Sequence, residues 1–171
     1  LNEWQKRREP RVLALDPFGD FKGLTTVDSI AEAGELLNED NSNPDRPCRI
    51  ALRPSVNDDT LEFAEELFSE LLQYARNFLL LADETTLWFN PQGSPRLKKV
   101  VLQGRRLGIR IGAACQQIQL VPWVLMSQLT QLAVFNTVRP QDVQVLREWV
   151  GKDVAEGASH LKQGEAYLVD L

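Results

Sequence analysis

The run Phe78-Leu79-Leu80-Leu81-Ala82 is followed at once by two acids, Asp83 and Glu84. An unbroken apolar run of that length reads as a strand buried on both faces. In an open parallel sheet, ligands sit beyond the carboxyl ends of the strands, so such a strand delivers two carboxylates to a ligand on a rigid support. This is a Walker B pattern. Asp83 can hold Mg²⁺, directly or through water, and Glu84 can orient and polarise a water for attack on a γ-phosphate. The plainer reading is that strands often end in acids because loops are wet.

Three further places carry chemistry. A second apolar strand, residues 109–115, ends at Gln116-Gln117. An amide at a strand's carboxyl end can reach a γ-phosphate or the attacking water, which is a sensor role for Gln116. Just before that strand stands Gly104-Arg105-Arg106-Leu107-Gly108-Ile109. Arg105, at a helix end, can be presented to a neighbouring subunit, where its guanidinium would spread over phosphate oxygens. A solvated basic helix end, favoured by the macrodipole, is the competing reading. The third place is Asp16-Pro17-Phe18-Gly19-Asp20-Phe21, where a strand ends in an acid and a tight turn carries another. Asp16 can sit near a nucleotide or cap the turn.

These positions need a sheet to carry them. Short apolar strands are expected at residues 11–16, 49–52, 78–82, 109–115, 132–135 and 167–169. Helices are expected at 29–37, 59–76, 94–107 and 140–150, with a short one opened by Pro122. Asp59 can cap the second of these, and Ala64, Leu67, Phe68, Leu71, Leu72 and Ala75 form its apolar stripe. Residues 38–45 are polar and read as a loop, and residues 1–8 read as the end of a helix. Alternating buried strands and amphipathic helices predict one α/β domain over residues 1–171, with a mostly parallel sheet flanked by helices.

Together these residues resemble the FtsK/HerA superfamily of DNA-translocating P-loop ATPases. The resemblance rests on Asp16 to Phe21, Leu79 to Glu84, Gly104 to Ile109 and Cys115-Gln116, in the superfamily's order, and spans about residues 11–150. The compact spacing looks most like the genome-packaging ATPases of membrane-containing viruses. Where the family continues from Gln116 with an Arg-Pro pair, this chain reads Gln117-Ile118. The resemblance implies a RecA-like ASCE core that binds ATP and Mg²⁺. Glu84, Gln116 and Arg105 would be catalytic, Asp83 would hold the metal, and Asp83 and Asp16 would lie at the nucleotide. It also implies double-stranded DNA as partner, a homo-oligomeric ring (a hexamer), a viral capsid or membrane vertex as docking point, and a cytoplasmic or virion-associated location.

One part of that pattern is missing. A P-loop reads Gly-x-x-x-x-Gly-Lys-(Ser/Thr). The only Gly-Lys pair here is Gly151-Lys152, which follows a helix and is succeeded by Asp153. In the superfamily the P-loop strand lies beside the strand ending at Gln116, and residues 1–8 resemble the later turns of the helix after a P-loop. The expectation is that the native chain carries its P-loop ahead of Leu1. The alternative is a degenerate domain without nucleotide binding. Two other function classes follow: a non-hydrolysing ring subunit, or a morphogenesis or secretion motor for phage particles or DNA.

Composition narrows the field further. With 171 residues, 43% hydrophobic and 25% charged, the chain is neither a disordered tail, a collagen-like fibre nor a disulfide scaffold. Nineteen basic against 24 acidic residues give a net charge of −5, which excludes a strongly basic nucleic-acid coat. A local basic segment remains in Arg96, Lys98, Lys99, Arg105, Arg106 and Arg110. His160 is the sole histidine, which argues against a zinc site or a His-based triad. Cys48 and Cys115 fit no metal spacing and read as buried thiols. No apolar run approaches the roughly 20 residues needed to span a bilayer. Trp4, Trp88, Trp123 and Trp149 read as packing residues, with contact to a partner or DNA as the other option for Trp88-Phe89.

Overall fold

The computed structural model describes residues 11–41, 48–55, 59–74 and 77–171. The helix end expected at 1–8, with Trp4, lies outside these residues. The chain forms two compact units, residues 1–115 and 116–171.

The first unit is built on a parallel five-stranded sheet. Its strands are β1 (Val12–Leu15), β2 (Thr25–Val27), β3 (Arg49–Leu52), β4 (Phe78–Ala82) and β5 (Ile109–Ala113), in the spatial order β2-β3-β1-β4-β5. β1 lies at the centre, with Leu13, Ala14 and Leu15 completely buried. Its apolar run has no polar alternation because both faces of a parallel sheet are covered. Register aligns Leu15 with Leu52 of β3 and with Ala82 of β4, so the three strands end level. β5 pairs only with β4 among the described residues.

The helices of this unit follow their sequence signals with two differences. In α2 (Thr60–Tyr74), Ala64, Leu67, Phe68 and Leu71 form the buried stripe. The Asp59 carboxylate accepts hydrogen bonds from the Leu61 and Glu62 amides at 2.9 and 3.2 Å, as an N-cap should. Ala75 and Arg76 lie outside the described residues. α1 (Ile30–Asn41) continues past Leu37 into the stretch expected to be loop. Polar composition there does not mean an absence of helix; the rest of that stretch, 42–45, lies outside the described residues. A four-residue helix, α3 (Thr85–Trp88), directly follows the two acids and has no separate sequence signal. α4 (Pro95–Gln103) is capped by Ser94, whose hydroxyl accepts from the Leu97 amide at 3.0 Å. It then tightens into a 3₁₀ turn, Gly104–Leu107.

Gly108 ends that turn with φ +73°. A Cβ there would collide with the Asn77 side-chain oxygen and come within 3.0 Å of its Cα. Asn77 in turn donates its amide to Leu107 O, and the Phe78 amide donates to Gly108 O. This knot sets the start of β4 against the start of β5. Gly108→Ala is therefore expected to destabilise the protein by at least about 1 kcal/mol, from the left-handed backbone and the clash together. Urea unfolding of the variant beside the unmodified protein checks it.

The second unit contains α5 (Trp123–Met126), α6 (Pro140–Val150), α7 (Lys152–Ala158) and a two-stranded sheet of β6 (Gln131–Val134) and β7 (Tyr167–Asp170). Its core joins Val134, Leu146, Ala155 and Ala158, with Leu132, Val143 and Leu161 packed against them. β7 pairs antiparallel with β6. α7 begins immediately after Gly151, which closes α6 but sits in an extended glycine-only conformation (φ 87°, ψ 165°) that turns the chain into a second helix.

Two side chains, Cys115 and Trp123, depart from expectation. Cys48 is buried as expected, but Cys115 is exposed, because β5 ends at Ala113 and Cys115 is already on the segment leaving the sheet. Trp123 is 69% exposed and rests on Trp149, ring centroids 5.0 Å apart, instead of being enclosed. Trp88 and Phe89 are both fully enclosed, with Phe89 stacked on Phe68, so they are packing residues of this unit. No helix among the described residues is long and apolar enough to cross a membrane.

Candidate active site

The level ends of β3, β1 and β4 put Arg53, Asp16 and Asp83 at the same carboxyl edge, each one residue past its strand. Main-chain bonds continue the ladder through them. Asp16 N donates to Leu52 O at 3.1 Å, and Asp83 N donates to Leu15 O at 3.2 Å. The edge is thus a rigid extension of the sheet.

At β4 the chain turns abruptly into α3, and Glu84 makes the turn. Its backbone is left-handed, φ 49° and ψ 71°, a conformation that costs a non-glycine residue about 1–2 kcal/mol. Four hydrogen bonds hold this turn. Buried Thr85 donates both its amide and its hydroxyl to Ala114 O, tying the turn to the chain just beyond β5. The Trp88 indole N–H donates to Asp83 O at 2.6 Å. The Thr86 hydroxyl donates to Glu84 Oε1 at 2.6 Å. Asp83 and Glu84 are both half-buried. The result is a pair of carboxylates on a strained, over-determined turn, an arrangement that concentrates at functional sites.

Asp16 is completely buried. Its Oδ1 accepts the Asp20 amide at 2.7 Å, and its Oδ2 accepts the Arg53 Nε and Nη2 at 3.2 and 2.9 Å. Gly19, at φ +76°, lets the turn lie flat on the guanidinium: a Cβ there would stand 3.2 Å from Arg53 Cζ. Of the two readings for Asp16, these are the bonds of the turn cap, with an ion pair added. Arg53 itself was not marked by the sequence, because its partner is 37 residues away. Arg53→Ala would leave a buried carboxylate without its counter-charge, and a loss of about 2–3 kcal/mol is expected. Urea unfolding reads this directly.

Arg105 is exposed on the 3₁₀ turn before β5. That is the amino end of the sheet, opposite Asp83 and Glu84 and roughly 16 Å away by strand length. Within one protomer, therefore, the structure does not bring Arg105 to the acid pair. Arg106 and Arg110 are exposed as well. Gln116 is exposed and opens the second unit, three residues after the end of β5. In that unit the Gln119 amide donates to Asp142 Oδ1 at 3.2 Å. Asp142, buried in the first turn of α6, thereby pins the turn that follows Gln116, another contact between distant residues with no sequence signal.

Solved structures share this fold. The genome packaging NTPase B204 of Sulfolobus turreted icosahedral virus 2 superimposes with a TM-score of 0.75 in its sulfate complex, at 14% identity, over 99% of this chain and 80% of that one. Its AMPPCP complex gives 0.74 at 13% identity, over 99% and 81%. B204, the DNA-packaging ATPase of Sulfolobus turreted icosahedral virus, gives 0.68 at 14%, over 99% and 81%. The chain has the fold of a viral genome-packaging NTPase. No protein-family model and no curated protein matches it by sequence.

A packaging-NTPase fold raises the question of the metal. Among the described residues no three His, Cys, Asp or Glu side chains gather into a cage for an ion. Mg²⁺ needs none, since it keeps several waters and is held through one or two carboxylates and the substrate's phosphates. Asp83, half-buried at the strand end, fits that donor set. When bound there, Mg²⁺ would supply positive charge against the phosphates.

Proposed function

We propose that this chain is the ATPase core of a motor that translocates double-stranded DNA, as in packaging a viral genome. The observation that carries the reading is the Asp83-Glu84 pair, held on a strained turn at the carboxyl edge of a sheet with the packaging-NTPase fold. Asp83 would hold Mg²⁺ against the phosphates. Glu84 would orient a water and accept its proton as the water oxygen attacks the γ-phosphorus. The bond to the β–γ bridging oxygen breaks, and ADP and phosphate leave. Gln116 would sense the γ-phosphate. Asp16 would support the site through the Arg53 turn.

The position of Arg105 supports a homo-oligomeric ring. At the far end of the sheet from its own acid pair, it would serve a neighbour's nucleotide. A ring around DNA, docked at a capsid or membrane vertex, would use the fold in this way.

The test is phosphate release from ATP by the full-length protein, with and without Mg²⁺ and double-stranded DNA. Hydrolysis that needs Mg²⁺ and rises with DNA is expected. ATP binding without hydrolysis would favour the non-hydrolysing ring subunit. Hydrolysis indifferent to DNA would favour a secretion or morphogenesis motor.

A further inference from the structure

The Glu84 carboxylate has one hydrogen bond among the described residues, from the Thr86 hydroxyl to Oε1. We infer that Thr86 is a positioning residue for Glu84: its hydroxyl fixes the carboxylate so that Oε2 is left to the attacking water. This rests on the reading of Glu84 as the residue that activates water.

The geometry makes the bond consequential. Glu84 is the residue that reverses the chain, with φ 49°, so its side chain does not leave in the direction a strand residue's would. A glutamate has three rotatable side-chain bonds and, half-exposed at such a turn, would sample several rotamers. The donor that selects among them is two residues on, at the first turn of α3. Thr86 is itself well held. On one side Thr85 is buried and tied to Ala114 O; on the other, Trp88 is buried and its indole is tied to Asp83 O. Threonine suits the task because its branched Cβ restricts χ1, so the hydroxyl has few directions to choose among. A hydrogen bond to a carboxylate is also of the stronger, charge-assisted kind. With Oε1 engaged, Oε2 is the oxygen whose lone pairs can take a proton. Positioning of this sort acts on the reacting geometry and leaves ground-state binding alone, and small misplacements of a reacting group cost up to about a hundred-fold in rate.

The experiment uses the full-length protein and the variants Thr86→Val, Thr86→Ser, Glu84→Gln and Glu84→Ala. Val keeps the shape and branching of Thr and removes only the donor. Thr86→Val is expected to lower kcat for ATP about tenfold or more, with KM and the Kd for AMPPCP unchanged, and Thr86→Ser to restore kcat to within about twofold of the unmodified protein. An unaltered kcat in Thr86→Val overturns the inference, as does an equal loss in Val and Ser, since the effect would then be packing. The bond is also read without turnover. Thr86→Val is expected to lower the thermal unfolding midpoint by about 2 °C where Glu84 is present and to leave it unmoved in Glu84→Ala. Midpoints that do not couple overturn the Thr86 inference alone. Coupled midpoints with full turnover in Glu84→Gln overturn the water-activating role of Glu84, and the function of the bond with it.

Discussion

Glu84→Gln in the full-length protein is expected to keep ATP bound and to cut its turnover by at least about a hundred-fold, the usual worth of a positioned general base. The amide preserves the shape of the side chain and can still accept the Thr86 hydroxyl, so the turn is undisturbed. What it loses is the capacity to take a proton from water. Asp83, the residue assigned to Mg²⁺, is untouched, so nucleotide affinity should stay within about twofold. Measuring kcat by phosphate release and Kd by titration with a non-hydrolysable analogue separates the two effects. Turnover at the unmodified rate would mean that another residue activates the water.

The second large effect is expected at Arg105. Fingers that reach a neighbouring nucleotide contribute about 10³ to 10⁵ in rate in other phosphoryl-transfer systems. Arg105 is exposed, at the amino end of the sheet, so Arg105→Ala should leave the protomer folded and able to bind ATP. Its DNA-stimulated hydrolysis should fall by about a thousand-fold. Because the arginine would act on the neighbour, mutant subunits mixed into rings of unmodified protein should depress activity more than in proportion to their number. A strictly linear fall would show subunits working independently. A variant as active as the unmodified protein would remove Arg105 from the site and pass the question to Arg106, then Arg110.

The parts of this site that local sequence displays are those governed by short-range physics. Phe78 to Ala82 is apolar because β4 is covered on both faces, and the acids follow because the strand ends at the sheet's edge, so Asp83 and Glu84 were visible at once. Asp59 and Ser94 announce their helices because a cap acts within three residues. What stayed hidden depends on distant partners. β2 is three residues long and exists because β3 offers it a ladder. The Arg53–Asp16 pair joins ends of neighbouring strands that are far apart in sequence. Nothing in the composition of Glu84-Thr85-Thr86 signals a left-handed glutamate held by a hydroxyl; that follows only once β4 must stop at Ala82 and α3 must start at Thr85. Gly151 was read as an end because glycine closes helices, whereas here it also opens the next one. Trp123 shows the converse limit, since hydrophobicity predicts burial only where a partner surface exists.

The most direct measurement is the structure of full-length Glu84→Gln with ATP and Mg²⁺ bound. The γ-phosphate is expected beyond the carboxyl ends of β4 and β5, with the metal on Asp83, and with a water within hydrogen-bond reach of both the Glu84→Gln side chain and the γ-phosphorus. Nucleotide bound elsewhere on the molecule, with nothing at Asp83, would contradict the assignment of this edge as the site of ATP hydrolysis.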